Sequence, residues 1–367
     1  MAEFKLDFSQ SVFRTSIYNH PKLHTITCRQ EAEPLKCTQH TRHASDALVR
    51  DMLKLAGFFC SQMSVRMTHY RKPPLSIQAQ LDQLQQRGLA IGDVANANRY
   101  LQRVGYYRLM GYLYTQRIPG SDHFRDQATF EDAVSLYEFD RVLRDLVMEA
   151  VGHIEVATRT VLTYHFAHAY GSFGHLEPRN LTFAGQEYAD WLGGVESEVT
   201  RSREAFIRHY KEKYVSPAFP RVPIWMATEV MSLGSLSRFY KALHSREQKA
   251  VAGEMQLAAP VFANWLHVTS VVRNVVAHHS RLWNKELGVS AVRPRSAGWS
   301  EREAPYAPNR CFFLLLLLRR LLEATTADSM DWRERVDVHL SAGLTTEVRT
   351  KSIGAAAGWQ DHRLWRG

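Results

Sequence analysis

The densest concentration of chemically useful side chains lies between Val271 and Asn284. It sets Arg273, Asn274, His278, His279, Arg281 and Asn284 among small and β-branched apolar residues. A histidine exchanges a proton near neutral pH, whereas an arginine stays charged and offers paired donors to a phosphate or oxyanion. Arg273 with His278 therefore supplies a base beside an anion-stabilising cation. His279 is an alternative base, and Asn274 could orient a histidine or a phosphate through its amide. Polar groups cost free energy when buried unpaired, so the cluster is either satisfied inside a core or opens onto a wet cleft. Spacing alone does not choose between these. Arginines at positions 14, 117, 159, 203, 238, 273 and 333 are each followed by four to six residues and a histidine. Arg273 differs in its surroundings: Asn274 directly after it, the doubled histidine, and Arg281-Leu282-Trp283-Asn284 closing the run.

These residues need a scaffold. Ser76 predicts a capped helix with Ile77, Leu81 and Leu84 on its apolar face, ended by Gly88, and Asp93 predicts a second through Leu101. Helical patterns follow at 130–170, 187–214, 225–243, 260–283, 309–325 and 330–340, with loops at 171–174, 216–223 and 292–308. Strand-like alternation is nearly absent, so the expected fold is all-α, a bundle of long antiparallel helices with peripheral helices. Residues 1–72 lack a sustained stripe apart from a short helix at 47–59. They read as a loosely ordered extension, with Met63 and Met67 as candidate starts and Arg71-Lys72-Pro73-Pro74 as a stiff hinge. The expected division is 1–72 extension, 73–285 helical domain, and 286–367 helices that complete or flank the bundle before a tail.

Bulk properties narrow the function. The net charge of +9 is concentrated at the ends: residues 1–72 carry 11 basic against 6 acidic groups, 73–270 carry 20 against 21, and 271–367 carry 15 against 10. Basic ends suit a polyanion, but there is no general cationic coat. Four scattered cysteines point to a reducing, cytoplasmic setting. The apolar run Cys311–Leu318 is too short for a bilayer span and reads as a core helix, with Arg319 and Arg320 at its end; no membrane partner is expected. No phosphate-binding glycine loop, His-Glu-x-x-His, Gly-x-Ser-x-Gly or Cys/His ligand set occurs, so no metal site and no cofactor are expected.

The closing motif Arg273-Asn274-x-x-Ala277-His278-His279-x-Arg281-x-Trp283-Asn284 resembles that of the Abi-like family of bacterial abortive-infection proteins, of the AbiD/AbiF type, within the HEPN superfamily. Further segments match in order. They are Arg103-Val104-Gly105-Tyr106-Tyr107-Arg108-Leu109-Met110-Gly111-Tyr112; Tyr137-Glu138-Phe139-Asp140-Arg141-x-Leu143-Arg144; Ile154-Glu155-x-x-x-Arg159 with Tyr170-Gly171; and Pro223-x-Trp225 with Ser232-Leu233-Gly234-x-Leu236-Ser237. The resemblance implies a HEPN-like bundle and a metal-independent endoribonuclease acting in phage defence. Arg273, His278, Asn274 and His279 would be its catalytic residues. The rival is a non-catalytic RNA- or protein-binding module of the same fold, in a defence or toxin–antitoxin system. Positions five apart on a helix lie about 140° around its axis, so Arg273 and His278 do not share a face. Either the helix breaks between them or a second subunit completes the site, and a homodimer is expected. An RNA or protein antitoxin is a further expected partner. Glu155 and Arg159 form either a plain ion pair or a support for Arg273 or His278. Tyr106, Tyr107, Arg108 and Arg281 could bind RNA by stacking and phosphate contact, although such aromatics also serve as packing. Arg141 and Arg144 beside Asp140 and Asp145 read as a solvated ion-pair face.

Overall fold

Three short helices, α1 (Ile77–Gln86), α2 (Val94–Arg103) and α3 (Tyr106–Leu113), lead into a 41-residue helix, α4 (Phe130–Tyr170), in the computed structural model. The structure describes residues 72–214, 221–326 and 329–366. Pro74–Gly367 form one unit with its own core. The extension expected over 1–72, with its helix at 47–59, lies outside the described residues except for Lys72.

The chain continues through α5 (Glu187–Arg201), α6 (Ala205–Lys213), α7 (Ile224–Val230), α8 (Leu233–Lys241), α9 (Ser245–Glu254) and α10 (Ala259–Ala277). It ends with α11 (Cys311–Thr325), α12 (Ser329–Gly343), α13 (Glu347–Ser352) and α14 (Arg363–Arg366). The fold is all-α, and no strand occurs among the described residues.

Local chemistry sets the boundaries. Ser76 and Asp93 cap α1 and α2 as their sequence predicts, each accepting a backbone N–H three residues on. Thr129 does the same for α4, where Glu131 and Asp132 sit favourably at the positive end of the helix dipole. Gly171, at φ +78°, ends it. Two expected long helices are split. Ser202 adopts an extended conformation and divides 187–214. Ser232 caps a new helix through Ser235 N–H and divides 225–243.

α4 is the axis of the unit: α3, α7, α9, α10, α11 and α12 all pack against it. Packing by these helices explains why Ala133, Leu136, Leu143, Val147, Ile154, Leu162 and Phe166 are all buried along one stripe. α11 is buried on every side from Cys311 to Arg319, the core helix its composition predicts. Arg319 and Arg320 are not its end, because the helix runs about one and a half turns further, to Thr325. Arg319 Nη1 donates to the Leu364 carbonyl (2.6 Å), and its Nη2 pairs with Glu323 (2.9 Å). Burial lowers the Arg319 pKa.

The charged block on α4 also differs from expectation. Arg141 does lie on the surface with Glu138 and Asp145. Asp140 and Arg144 are instead a buried pair, Asp140 fully so. Asp140 falls between Leu136 and Leu143 on the inward stripe, which leaves it no route to water.

Candidate active site at the end of α10

The expected helix over 260–283 stops at Ala277. His278 N–H donates to the Asn274 carbonyl (3.0 Å), His279 N–H to Val276 (2.9 Å) and Ser280 N–H to Val275 (2.9 Å). The last two bonds form a Schellman cap, in which one residue must turn left-handed. Glycine usually fills that position; here it is His279, at φ +54°. The left-handed turn falls after His278, so it leaves Arg273 and His278 on different faces of the helix.

The motif divides at this cap. In its first part, the side chains of Arg273, Asn274, His278 and His279 have no hydrogen-bond or ion-pair partner among the described residues. Asn274, His278 and His279 are exposed, and Arg273 is half-buried. Asn274 and His278 are four apart and share a helix face, while Arg273 is displaced about 100° around the axis. The reading of these residues as mutually satisfied core groups therefore has no support in the geometry.

The second part is saturated. Asp140 receives Trp283 N–H (2.7 Å) and Leu282 N–H (3.1 Å) on Oδ1, and the Tyr112 hydroxyl (2.6 Å) and the Arg144 guanidinium on Oδ2. Trp283 stacks on Tyr112, with ring centroids 6.3 Å apart and planes 20° apart. Arg281 Nη1 donates to the Gly111 carbonyl, and its guanidinium lies 5.9 Å from the Tyr112 ring centroid. In the opposite direction, Arg108 Nη1 donates to the His279 carbonyl. These bonds lace α3, α4 and the segment after α10 together. Burial, and next the Asp140 carboxylate, drive the Tyr112 pKa upward. The same two causes push the neighbouring Cys311 thiol up to about 12, so it stays protonated and unreactive.

The other expected site residues are placed as follows. Arg108 and Arg281 hold backbone carbonyls. Tyr106 hydrogen-bonds Gln83 (3.3 Å) and receives Arg87 (3.5 Å), joining α3 to α1. Tyr107 is 86% exposed on the same helical turn as Arg108, beside the His279 carbonyl. Glu155 and Arg159 form the expected ion pair (2.9 Å), and Arg159 Nη2 also donates to the Met231 carbonyl at the end of α7 (3.0 Å). Neither is bonded to Arg273 or His278. His165 faces Glu254 at 3.7 Å, so the weaker Arg159–His165 copy is occupied by its own neighbours.

Sequence reasoning missed Asp140 and Tyr112. The available signal was a carboxylate on an apolar stripe, which demands donors from another element. Among the described residues no three His, Cys, Asp or Glu side chains gather as a metal-ligand set. No helix among them is long and apolar enough to cross a membrane.

The arrangement defines an all-helical protein whose last core-helix turn presents unpaired basic and amide groups on a braced frame. Residues 99–284, just over half of the chain, match the Abi-like protein family, and the chain belongs to that family. The match covers the elements that build this frame, from α2 through α4 and α10 to Asn284. No curated protein and no solved structure matches the chain.

Proposed function

We propose that this Abi-like protein is a metal-independent endoribonuclease of the HEPN type, acting in the cytoplasm as an abortive-infection effector against phage. The observation that carries the reading is the contrast within one motif: Arg273, Asn274, His278 and His279 are unpartnered while the residues after them are locked. Unpaired polar groups on a rigid support are what differential stabilisation of a transition state requires.

In this reading His278 takes the proton from an RNA 2′-hydroxyl, whose oxygen attacks the adjacent phosphorus. Arg273 stabilises the charge that builds on the non-bridging oxygens. The 5′-oxygen then leaves as its bond to phosphorus breaks and takes up a proton from water, while protonated His278 returns its own to solvent, giving a 2′,3′-cyclic phosphate and a 5′-hydroxyl end. Asn274 shares a face with His278 and would orient it or the phosphate once RNA is bound. His279, whose backbone serves as the cap, is the less favoured base.

The homodimer belongs to the same proposal, because Arg273 lies about 100° around the axis from Asn274 and about 140° from His278, and a second copy would bring the missing group. Support comes from the surface of α10. Arg273 is its only charged residue, and exposed Pro260, His267 and Asn274 recur at seven-residue spacing on one line. Depletion of charge is characteristic of the centre of a protein interface. The proposed domain division places the bracing C-terminal helices, 286–367, in the same unit as the catalytic part. An RNA or protein antitoxin would act by covering this helix end.

The decisive experiment incubates purified protein with total cellular RNA in the presence of a chelator and maps the ends produced. Cleavage leaving cyclic phosphate ends, abolished by His278→Ala, is expected. Unchanged RNA in chelator, or equal host toxicity of wild type and His278→Ala, overturns the nuclease reading in favour of the binding module.

A further inference from the structure

The last residue of the motif opens onto a second feature. Asn284, at φ +47°, accepts Arg310 Nη2 on its Oδ1 (3.3 Å), and its amide N–H groups have no partner among the described residues. It lines a groove of about 1030 Å³ whose other wall is the turn between Arg117 and Phe124. That turn is well built. Ile118 N–H bonds the His123 carbonyl (2.9 Å), Arg125 N–H bonds the Gln116 carbonyl (2.8 Å), and Ser121 N–H closes on Ile118 (3.0 Å).

Three features give the groove a chemical character. Tyr114 is 68% exposed within it, with the Arg117 guanidinium 5.9 Å from its ring centroid. Arg125 is exposed, and its Nε donates to the Arg117 carbonyl (3.1 Å) while its terminal nitrogens have no partner among the described residues. Charge is unbalanced, since Asp122 alone faces both Arg117 and Arg87, leaving Arg125 and the exposed His123 unopposed. An aromatic face with an unneutralised guanidinium group and free amide donors is the equipment for a single nucleic-acid strand: bases stack, phosphates meet arginine, and base edges meet an amide. A duplex would not fit this chemistry, because stacking on Tyr114 requires a base already free of its neighbours.

We propose that this groove binds single-stranded RNA and carries the strand away from the helix end at His278. Tyr114 stacks a base, Arg125 meets a phosphate and Asn284 reads a base edge. The inference rests on the nuclease reading for its direction of travel, but binding in the groove can be measured without cleavage.

The test uses the full chain carrying His278→Ala, so that RNA stays intact, with a fluorescein-labelled unstructured 12-mer and a hairpin of equal length as probes. Tyr114→Ala and Arg125→Ala are each expected to weaken 12-mer binding roughly tenfold. Arg125→Ala should also reduce the salt dependence by about one released counterion. The hairpin should bind more weakly than the 12-mer. Both side chains are exposed, and an unchanged melting temperature checks that the variants fold. If neither substitution alters 12-mer affinity, or if the 12-mer does not bind, the groove proposal is overturned. Cleavage by the wild type with unaltered groove-variant binding would remove the groove and leave the nuclease. Weakened binding with no wild-type cleavage would keep the groove and remove the nuclease.

Discussion

The two ends of one fourteen-residue segment behave in opposite ways. From Arg273 to His279 the polar side chains have no internal partners, whereas Arg281 and the backbone of Leu282 and Trp283 are bonded to α3 and α4. Sequence shows only a run of arginine, histidine and asparagine. The structure shows that a similar residue type is left unpartnered before the cap and serves as mortar after it. Arginine makes this plain: Arg273 is unpaired, while Arg281 spends its guanidinium on the Gly111 carbonyl and the Tyr112 ring. A motif of this kind can thus be recognisable as a whole although part of it braces the fold and part of it is left without partners.

That division predicts opposite signatures on mutation. Removing a reagent should cost rate and leave stability alone. Arg273→Ala and His278→Ala are each expected to lower RNA cleavage by about 10²- to 10⁴-fold with little change in melting temperature. A large loss of melting temperature in either variant would place it with the mortar.

Removing mortar should do the reverse. Asp140→Ala strands the buried Arg144 charge and three further donors, at a cost of about 3–5 kcal/mol. In a unit this size that lowers the melting temperature by roughly 10 °C. Trp283→Ala, which empties a fully buried site, should cost about as much. Thermal or denaturant unfolding measures both. If Asp140→Ala unfolds no more easily than wild type, the bracing account of the second half fails.

The comparison extends to pH, because a titration of activity must be separated from one of stability. His175 is buried, and burial lowers its pKa to about 4, with Arg221 adding in the same direction. Between pH 4 and 6.5 the unfolded chain therefore binds a proton that the folded protein refuses. Stability from this residue is complete above about pH 6.5 and lost as the pH falls toward 4, by about 3 kcal/mol at most. His339, stacked on Phe139, is shifted the same way by burial. His175→Gln should flatten the acid limb of a stability profile while leaving the acid limb of the cleavage profile in place.

Among the bracing residues, Arg281→Ala should cost about 1–2 kcal/mol, since the Gly111 carbonyl loses a charge-assisted bond. Arg108→Ala, at an exposed site, should cost less. Any fall in RNA affinity beyond that seen in a bracing variant of equal stability would show that Arg108 also meets RNA.

How much of this was legible beforehand depended on whether a boundary carried a residue-level signal. Both ends of α4 could be read because Thr129 caps one and Gly171 the other. The end of α10 could not, because a histidine occupies the left-handed position and neither glycine nor proline marks it. Asp140 and Arg144 were read as solvated because charged residues usually are, yet their phase on the α4 stripe placed them inside. Arg319 differs for another reason: a cation after a leucine run reads as a helix end favoured by the dipole, yet the helix continues to Thr325. Arg273, Asn274, His278 and His279 were legible as candidates from their types and order. Their freedom from partners was not, because it depends on what α3 and α4 do not offer.

The choice between the two histidines follows from the cap. A left-handed backbone costs a β-carbon-bearing residue about 1 kcal/mol, a penalty glycine escapes. His279→Gly should therefore raise stability by up to about 1 kcal/mol while keeping the Ser280 and His279 N–H bonds that close the helix. If His278 is the base, the variant should also cleave RNA at close to the wild-type rate, because its Asn274 neighbour and the course of the backbone are preserved. A stabilised but inactive His279→Gly protein would transfer the base to His279. It would also mean that the strained position persists for chemistry and that the boundary between reagent and mortar runs through a single residue.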